Sequence, residues 1–139
     1  MVLLDTNVVS EMMRPEASPT VLKWFSRQHS QVLYSSSVSL AEIFYGIQLL
    51  PGVKRRHELL AGAERMFAKV LAGHLFVFDE EAAHAFARIA STRRKAGKPI
   101  AAMDAQIAAI AHVHGATLAT RNTADFEGCG IRLANPWRD

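Results

Sequence analysis

An α/β fold, with a central parallel sheet of four to five strands flanked by helices, follows from two features of the chain. Short apolar runs recur without the polar alternation of a half-solvated strand. They are Val2-Leu-Leu4, Val32-Leu-Tyr-Ser35, Leu75-Phe-Val-Phe78 and Ala116-Thr-Leu-Ala119, with Gly130-Ile-Arg-Leu133 as a candidate fifth. Such runs suit strands covered on both faces. Between them lie longer stretches with apolar residues at three- and four-residue steps, the pattern of helices that bury one side. Strands alternating with helices argue for a parallel, helix-covered sheet. No repeat, low-complexity tract or linker divides the 139 residues, so one domain over 1–139 is expected.

The elements can be justified in order. The first strand ends at Asp5 and gives way to a helix with Val8, Val9, Met12 and Met13 on its apolar side. Arg14-Pro15 breaks that helix, because proline cannot continue it and restrains its predecessor. Ser18-Pro19 starts the next one, with serine as cap, proline at the first helical position and Val21, Leu22, Trp24 and Phe25 facing inward. After the second strand a helix is expected from about Val38 to Leu50, stopped by Pro51-Gly52. Val53 to Leu71 follows as a longer helix, burying Leu59, Leu60, Ala63, Met66, Phe67 and Val70. Asp79-Glu-Glu81 opens a helix with acids in its first turn, which suits the N-terminal dipole, and Arg93-Arg-Lys95 closes it. Ile100 to His114 is the last long helix, ended by Gly115.

Composition narrows the function. Half of the residues are hydrophobic and about a fifth are charged, as in ordinary soluble domains. A net charge of +3 tolerates a polyanionic partner without demanding one. No apolar run reaches the roughly 20 residues that span a bilayer, and no basic, apolar leader stands at the start. A lone cysteine, Cys129, excludes an internal disulfide and a thiolate-rich zinc site. Reducing cytoplasm is the expected compartment. The chain carries no Gly-rich phosphate loop and no Gly-x-Ser-x-Gly nucleophile. His112 and His114, two apart on a helix, face different ways.

Four acids stand where acids need a reason. Asp5 lies at the carboxyl end of a buried strand, where open α/β sheets bind ligands, although Asp and Thr are also preferred helix caps. Glu42 shares a helix face with Val38, Tyr45, Gly46 and Leu49, although Ser39-Leu-Ala-Glu42 has the spacing of a capping box. Gly46 within that helix costs about 1 kcal/mol relative to alanine, which suggests a close approach there. Asp104 shares a face with Ile107, Ala108 and Ala111, and a buried carboxylate without a partner is costly. Asn122 and Asp125 follow the fourth strand, where Asn122 is also a plausible cap for a short turn. Jointly placed, carboxylates need opposing charge, and hard oxygen donors suit Mg²⁺ or Mn²⁺ rather than zinc.

Leu-Leu-Asp5-Thr-Asn7, Ser39-Leu-Ala-Glu42 with Gly46, Ala102-Met-Asp104-Ala-Gln-Ile-Ala-Ala, and Ala119-Thr-Arg-Asn122 with Asp125-Phe126 together resemble the PIN-domain ribonucleases. The resemblance covers essentially the whole chain. It is strongest to the VapC toxins of bacterial toxin–antitoxin pairs, in particular the FitB-like group, down to Asn135-Pro-Trp137. It implies a Mg²⁺- or Mn²⁺-dependent endoribonuclease, a homodimer or higher oligomer, inhibited by a cognate antitoxin that itself binds DNA. Asp5 and Asp104 match the metal-binding aspartates and Glu42 the third acid. At the fourth acidic position this chain has Asn122, with Asp125 one turn later as a substitute ligand.

In that chemistry Thr6 and Asn7 would support the carboxylates, while Arg121, Arg93 and the neighbouring Arg94, Lys95 and Lys98 would meet RNA phosphates. A solvated helix end explains the 93–95 run equally well. Two other readings stay open. One is a PIN-type nuclease of RNA processing; the other is a nucleic-acid-binding or interaction module weakened by Asn122. No helix-turn-helix or zinc-finger pattern favours free-standing DNA binding.

Overall fold

In a computed structural model, which describes residues 1–28 and 32–139, five parallel strands form one sheet in the order β3-β2-β1-β4-β5. The strands are β1 (Val2–Leu4), β2 (Leu33–Ser36), β3 (Leu75–Phe76), β4 (Thr117–Ala119) and β5 (Leu133–Ala134). The helices are α1 (Thr6–Met12), α2 (Pro19–Ser26), α3 (Ser37–Gln48), α4 (Val53–Arg65), α5 (Glu80–Lys95) and α6 (Ala102–His114). One apolar layer joins Leu4, Val8, Val9, Trp24, Ile43 and Ile47 on one side of the sheet. The other joins Leu3, Ala85, Ile89, Ile107, Ile110 and Leu118 beneath α5 and α6. Leu3 and Leu4 point to opposite layers, which is why β1 reads as unbroken apolar sequence. Among the described residues, no helix is long and apolar enough to cross a membrane.

The topology places the site. The chain passes from β1 to β2 and β3 on one side, then returns through α6 to add β4 on the other. Leu4 pairs with Ala119, so Asp5 and Thr120 stand side by side just beyond the strand ends. A crevice at such a reversal of strand order is where doubly wound sheets bind ligands.

Several boundaries differ from the sequence expectation, each for a local reason. The helix from Val53 ends in a π-helical turn over Met66–Val70, closed by the Leu71 N–H on the Met66 carbonyl at 2.9 Å. That wider turn inserts one residue into the 3.6-residue pattern, so Leu71 is buried and Val70 is 64% exposed. Strand β3 stops at Phe76 at the sheet edge, leaving Val77 56% exposed. Strand β5 lies at Leu133–Ala134 rather than 130–133, after the Gly128 and Gly130 turns. Leu22 faces solvent, while Val21 and Trp24 carry the buried side of α2. Gly115 ends α6 as expected, at a φ of 64°, whereas Asp79, read as a first-turn acid, is the cap of α5: its Oδ1 accepts from Ala82 N–H at 2.9 Å, and Glu80 and Glu81 occupy the first turn.

Candidate active site at the β1–β4 strand ends

Asp5 is 4% exposed and fully provided with donors. Its Oδ1 accepts from Thr6 N–H at 2.8 Å, so it is also the cap residue of α1. Its Oδ2 accepts from the Thr120 hydroxyl at 2.7 Å and, more distantly, from Asn7 Nδ2 at 3.4 Å. Burial pushes the Asp5 carboxyl up from its ordinary value; the Thr120 and Thr6 hydrogen bonds oppose this, and Glu42 and Asp125 add to it. Capping and site placement are therefore two roles of one carboxylate.

Glu42 is not half of a capping box. Helix α3 begins at Ser37, and its cap is Ser36, whose Oγ accepts from Ser39 N–H at 3.1 Å. Glu42 is thereby left a turn inside the helix with its carboxylate free to face the crevice. Thr6 Oγ1 bridges Glu42 Oε1 at 2.9 Å and Ser39 Oγ at 3.0 Å. This hydroxyl ties the β1 end to α3.

Asp104 sits in the first turn of α6, partly buried, and no hydrogen bond to its carboxylate figures among the influences on it. Burial, then the charges of Asp5, Asp125 and Glu42, push its carboxyl up to about 6. Asp125 is exposed, in the 3₁₀ turn Thr123–Phe126, yet its charge reaches both Asp5 and Asp104.

Asn122, expected at the site from its position after β4, has no side-chain hydrogen bond to another described residue. It is exposed and gives the following turn no side-chain cap; its backbone N–H donates to Thr120 Oγ1 at 3.1 Å and its carbonyl accepts from Asp125 N–H at 3.0 Å. Asp125, not Asn122, is the group that shares the electrostatics of the other acids. The residue that sequence reasoning missed is Thr120. A hydroxyl directly after an apolar strand was the available signal, but it acquires meaning only once β4 is known to lie beside β1.

Arg93 also departs from expectation. It is 8% exposed, and its guanidinium donates to the carbonyls of Lys98 (2.7 Å), Asp125 (2.8 Å) and Glu127 (2.8 Å). These bonds fasten the turn before α6 to the turn that carries Asp125. With its Nε and Nη1 donors committed to backbone carbonyls, Arg93 braces the turn that carries Asp125. Arg121 is exposed and lies over the Trp137 ring, 4.9 Å from its centroid. Asn7 Oδ1 accepts from Arg121 N–H at 3.3 Å, so Asn7 serves the site by bracing two strand ends.

A groove of about 540 Å³ runs from Thr6 and Glu42 along α1, α3 and α4, past Met13, Gly46, Ile47 and Leu59. A side chain at Gly46 would meet nothing within 4 Å, so no other part of the chain makes the close approach its glycine suggests. Its bare backbone instead widens the groove.

The acids suit a divalent cation by donor type: all are hard oxygen ligands, and among the described residues no cationic side chain offsets the raised carboxylates of Asp5 and Asp104. They do not form a closed cage. Among the described residues, no three His, Cys, Asp or Glu side chains stand as a ready metal-ligand group.

The PIN domain family model matches residues 2–128, nearly the whole chain. The chain belongs to the PIN-domain family. Among its relatives, plasmid stability protein StbB of Pseudomonas syringae pv. tomato is 40% identical over 137 residues, covering 99% of each chain. Toxin FitB of Neisseria gonorrhoeae is 38% identical over 139 residues, covering 100% of both. VapC ribonuclease Y4jK of Sinorhizobium fredii is 37% identical, covering 99% of this chain and 98% of that one. The fold matches the solved structure of FitAB bound to a DNA fragment with a TM-score of 0.88 and 38% identity, over 100% of this chain and 97% of that one. This PIN domain is thus similar, along its full length, to proteins named as a toxin and as a ribonuclease.

Proposed function

We propose that this PIN domain is a divalent-metal-dependent endoribonuclease and the toxin of a toxin–antitoxin pair. The observation that carries the reading is the gathering of Asp5, Glu42, Asp104 and Asp125 at the β1–β4 strand ends with no cationic side chain among the described residues to offset Asp5 and Asp104. A bound Mg²⁺ or Mn²⁺ would lower the pKa of a coordinated water and neutralise charge on the phosphate. Asp5 and Asp104 would hold the ion, with Glu42 and Asp125 as further ligands. The chain's own residues then divide the work. The Thr120 hydroxyl and the Thr6 amide oppose the effect of burial on Asp5 and fix the direction of its carboxylate. Glu42, steadied by Thr6, accepts a hydrogen bond from the attacking water and takes its proton. Arg121 meets a phosphate of the strand.

The names of the similar proteins, a ribonuclease and a toxin, support this reading. The position of Asp125 removes the reason to infer a weakened, non-catalytic module from Asn122 alone. A small partner protein fits the groove beside Glu42: its segment would lie along Ile47, Gly46 and Leu59 and place a basic side chain among the acids. Tyr45 and Leu49, 67% and 65% exposed on the outer side of α3, with Val53 at 57%, favour self-association through the α3–α4 pair.

The deciding experiment is digestion of a mixed RNA pool by the purified chain with Mg²⁺, with Mn²⁺ and with EDTA, with the cut sites sequenced. Cleavage at defined sites that EDTA stops is the expected result. Intact RNA in every buffer overturns the nuclease assignment. For the toxin role, expression should arrest growth, and co-expression of a partner encoded beside it should relieve the arrest; harmless expression of soluble protein favours RNA processing instead.

A further inference from the structure

We infer that Trp137, in the last turn of the chain, is a positioning residue that holds Arg121 ready for one phosphate of single-stranded RNA crossing the acids. The identity of the ligand rests on the nuclease reading above; the geometry stands apart from it. Arg121 directly follows Thr120, whose hydroxyl binds Asp5, so its backbone is anchored at the centre of the site. Its N–H donates to Asn7 Oδ1 at 3.3 Å and its carbonyl accepts from Asn135 Nδ2 at 3.4 Å. The guanidinium carbon then lies 4.9 Å from the indole centroid of Trp137.

The indole packs, partly buried, against the apolar layer of Leu4, Val8 and Trp24. The Trp137 backbone N–H donates to Asn135 Oδ1 at 2.9 Å, and Asn135 is 6% exposed. The Asn135 N–H donates to Asp139 Oδ2 at 2.7 Å, while the N–H groups of Arg138 and Asp139 close on the Asn135 carbonyl at 3.0 and 2.8 Å. Arg27 clasps the Asp139 carbonyl at 2.9 Å. A five-residue tail is thus built into a rigid plate, and its one aromatic ring lies under Arg121.

Stacking engages the face of a guanidinium and leaves the N–H donors around its edge available for a planar, bidentate contact with phosphate. Arg121 also has no acidic partner: among the described residues the one ion pair joins Arg14 and Glu11. Arg93 shows the opposite design, with its Nε and Nη1 donors spent on carbonyls. An arginine one residue beyond an acidic site, held on a ring and unpaired, is placed to neutralise substrate rather than the acids.

The test is a double-mutant cycle on RNA binding. Affinity for a fluorescent single-stranded RNA oligonucleotide is measured in EDTA at several salt concentrations for wild type, Arg121→Gln, Trp137→Leu, the double variant and Trp137→Phe. Arg121→Gln should weaken binding about tenfold and flatten the dependence of log affinity on log salt by about 0.7. Trp137→Leu should weaken it roughly two- to fivefold with the salt slope retained, Trp137→Phe should restore most of the loss, and the double variant should bind no worse than Arg121→Gln alone. Additive losses mean that Trp137 is only a packing residue and overturn the proposal, as does wild-type binding by Arg121→Gln. Should Trp137→Leu fail to fold, Trp137→Phe paired with Arg121→Gln completes the comparison, because full affinity in that single variant and loss in the other are both required. RNA that is bound through this cycle but never cleaved overturns the nuclease reading alone; RNA that is cleaved by a chain indifferent to Arg121 overturns this inference alone.

Discussion

Asp5 and Asp104 carry the same functional group into the same site, and burial pushes both carboxyls up, but among the described residues it is Asp5 that receives donors against that push. Asp5, 4% exposed, receives a backbone N–H, a threonine hydroxyl and a distant amide, so its ionised form is solvated by the protein. Asp104 receives no such donors and is pushed up to about 6 by burial and by its acidic neighbours. The strand-end half of the site is preorganised; the helix half is held ready without stabilisation of its charge. Differences of this kind mark functional sites, because a charge left uncompensated by the fold is one that a ligand can compensate.

The largest effect should come from removing either carboxylate. Asp5→Asn and Asp104→Asn should each lower RNA cleavage by about three orders of magnitude or more, on the scale of losing an essential ligand that stabilises transition-state charge. Initial rates in matched Mn²⁺ buffer, with circular dichroism to confirm folding, check this. Cleavage near wild-type rates by either variant would break the assignment.

Stability should separate the pair. In metal-free buffer at pH 7, Asp104→Asn removes an unstabilised charge and should raise Tm, whereas Asp5→Asn places an amide against donors that need an acceptor and should not. The pH dependence has a defined sign. A carboxyl raised in the folded state adds stability that is complete below the unfolded pKa and is lost as pH rises through the folded one. Metal-free wild type should therefore lose roughly 1–2 kcal/mol between about pH 4 and 6 that Asp104→Asn keeps, a figure discounted from 1.36 kcal/mol per unit for partial solvent access. Denaturant melts at pH 4.5 and 7 read it directly, and a variant with the same slope as wild type would assign that loss elsewhere.

Thr120 tests how far the preorganised half depends on its donors. Thr120→Val keeps the shape and deletes the 2.7 Å hydrogen bond to a buried carboxylate, at an expected cost of about 1–3 kcal/mol in stability. Cleavage should fall about tenfold, with the loss shrinking at high Mn²⁺ because the ion compensates the poorer site. Equal loss at every Mn²⁺ concentration would mean that Thr120 matters only to folding.

Much of this was legible in the chain before the fold was known. Apolar runs, breakers and acids at helix starts placed four strands and six helices, since burial on both faces and the Asp79-Glu-Glu81 run are local facts, while the fifth strand was expected at 130–133 and lies at Leu133–Ala134. Asp5 and Asp104 stood out for the same reason, being charges in apolar surroundings. What sequence could not carry was adjacency. Thr120 matters because β4 lies beside β1, and Arg93 looked like a phosphate ligand until the 125–129 turn folded over it. The π turn at Met66–Val70 and the exposed Val70 arise from one backbone bond that leaves no mark in residue type.

Asn122 and Asp125 give the smallest and sharpest test. The position that the resemblance to PIN-domain ribonucleases assigns to an acid is filled here by an exposed amide, while the charge of the acid three residues on reaches Asp5 and Asp104. Asp125 is exposed and accepts no site hydrogen bond that fixes it, so it adds field more than geometry. Asp125→Asn should therefore reduce cleavage about tenfold, less than Asp5→Asn, because a solvent-screened carboxylate contributes only a fraction of a buried one. Asn122→Ala should change it less than twofold, and Asn122→Asp should tighten Mn²⁺ binding by adding a nearby negative charge. Calorimetric Mn²⁺ titration of the three variants, alongside Asp5→Asn, ranks them. Loss of binding in Asp125→Asn as complete as in Asp5→Asn would make Asp125 a full ligand, and loss in Asn122→Ala would mean that the amide turns inward when the ion binds.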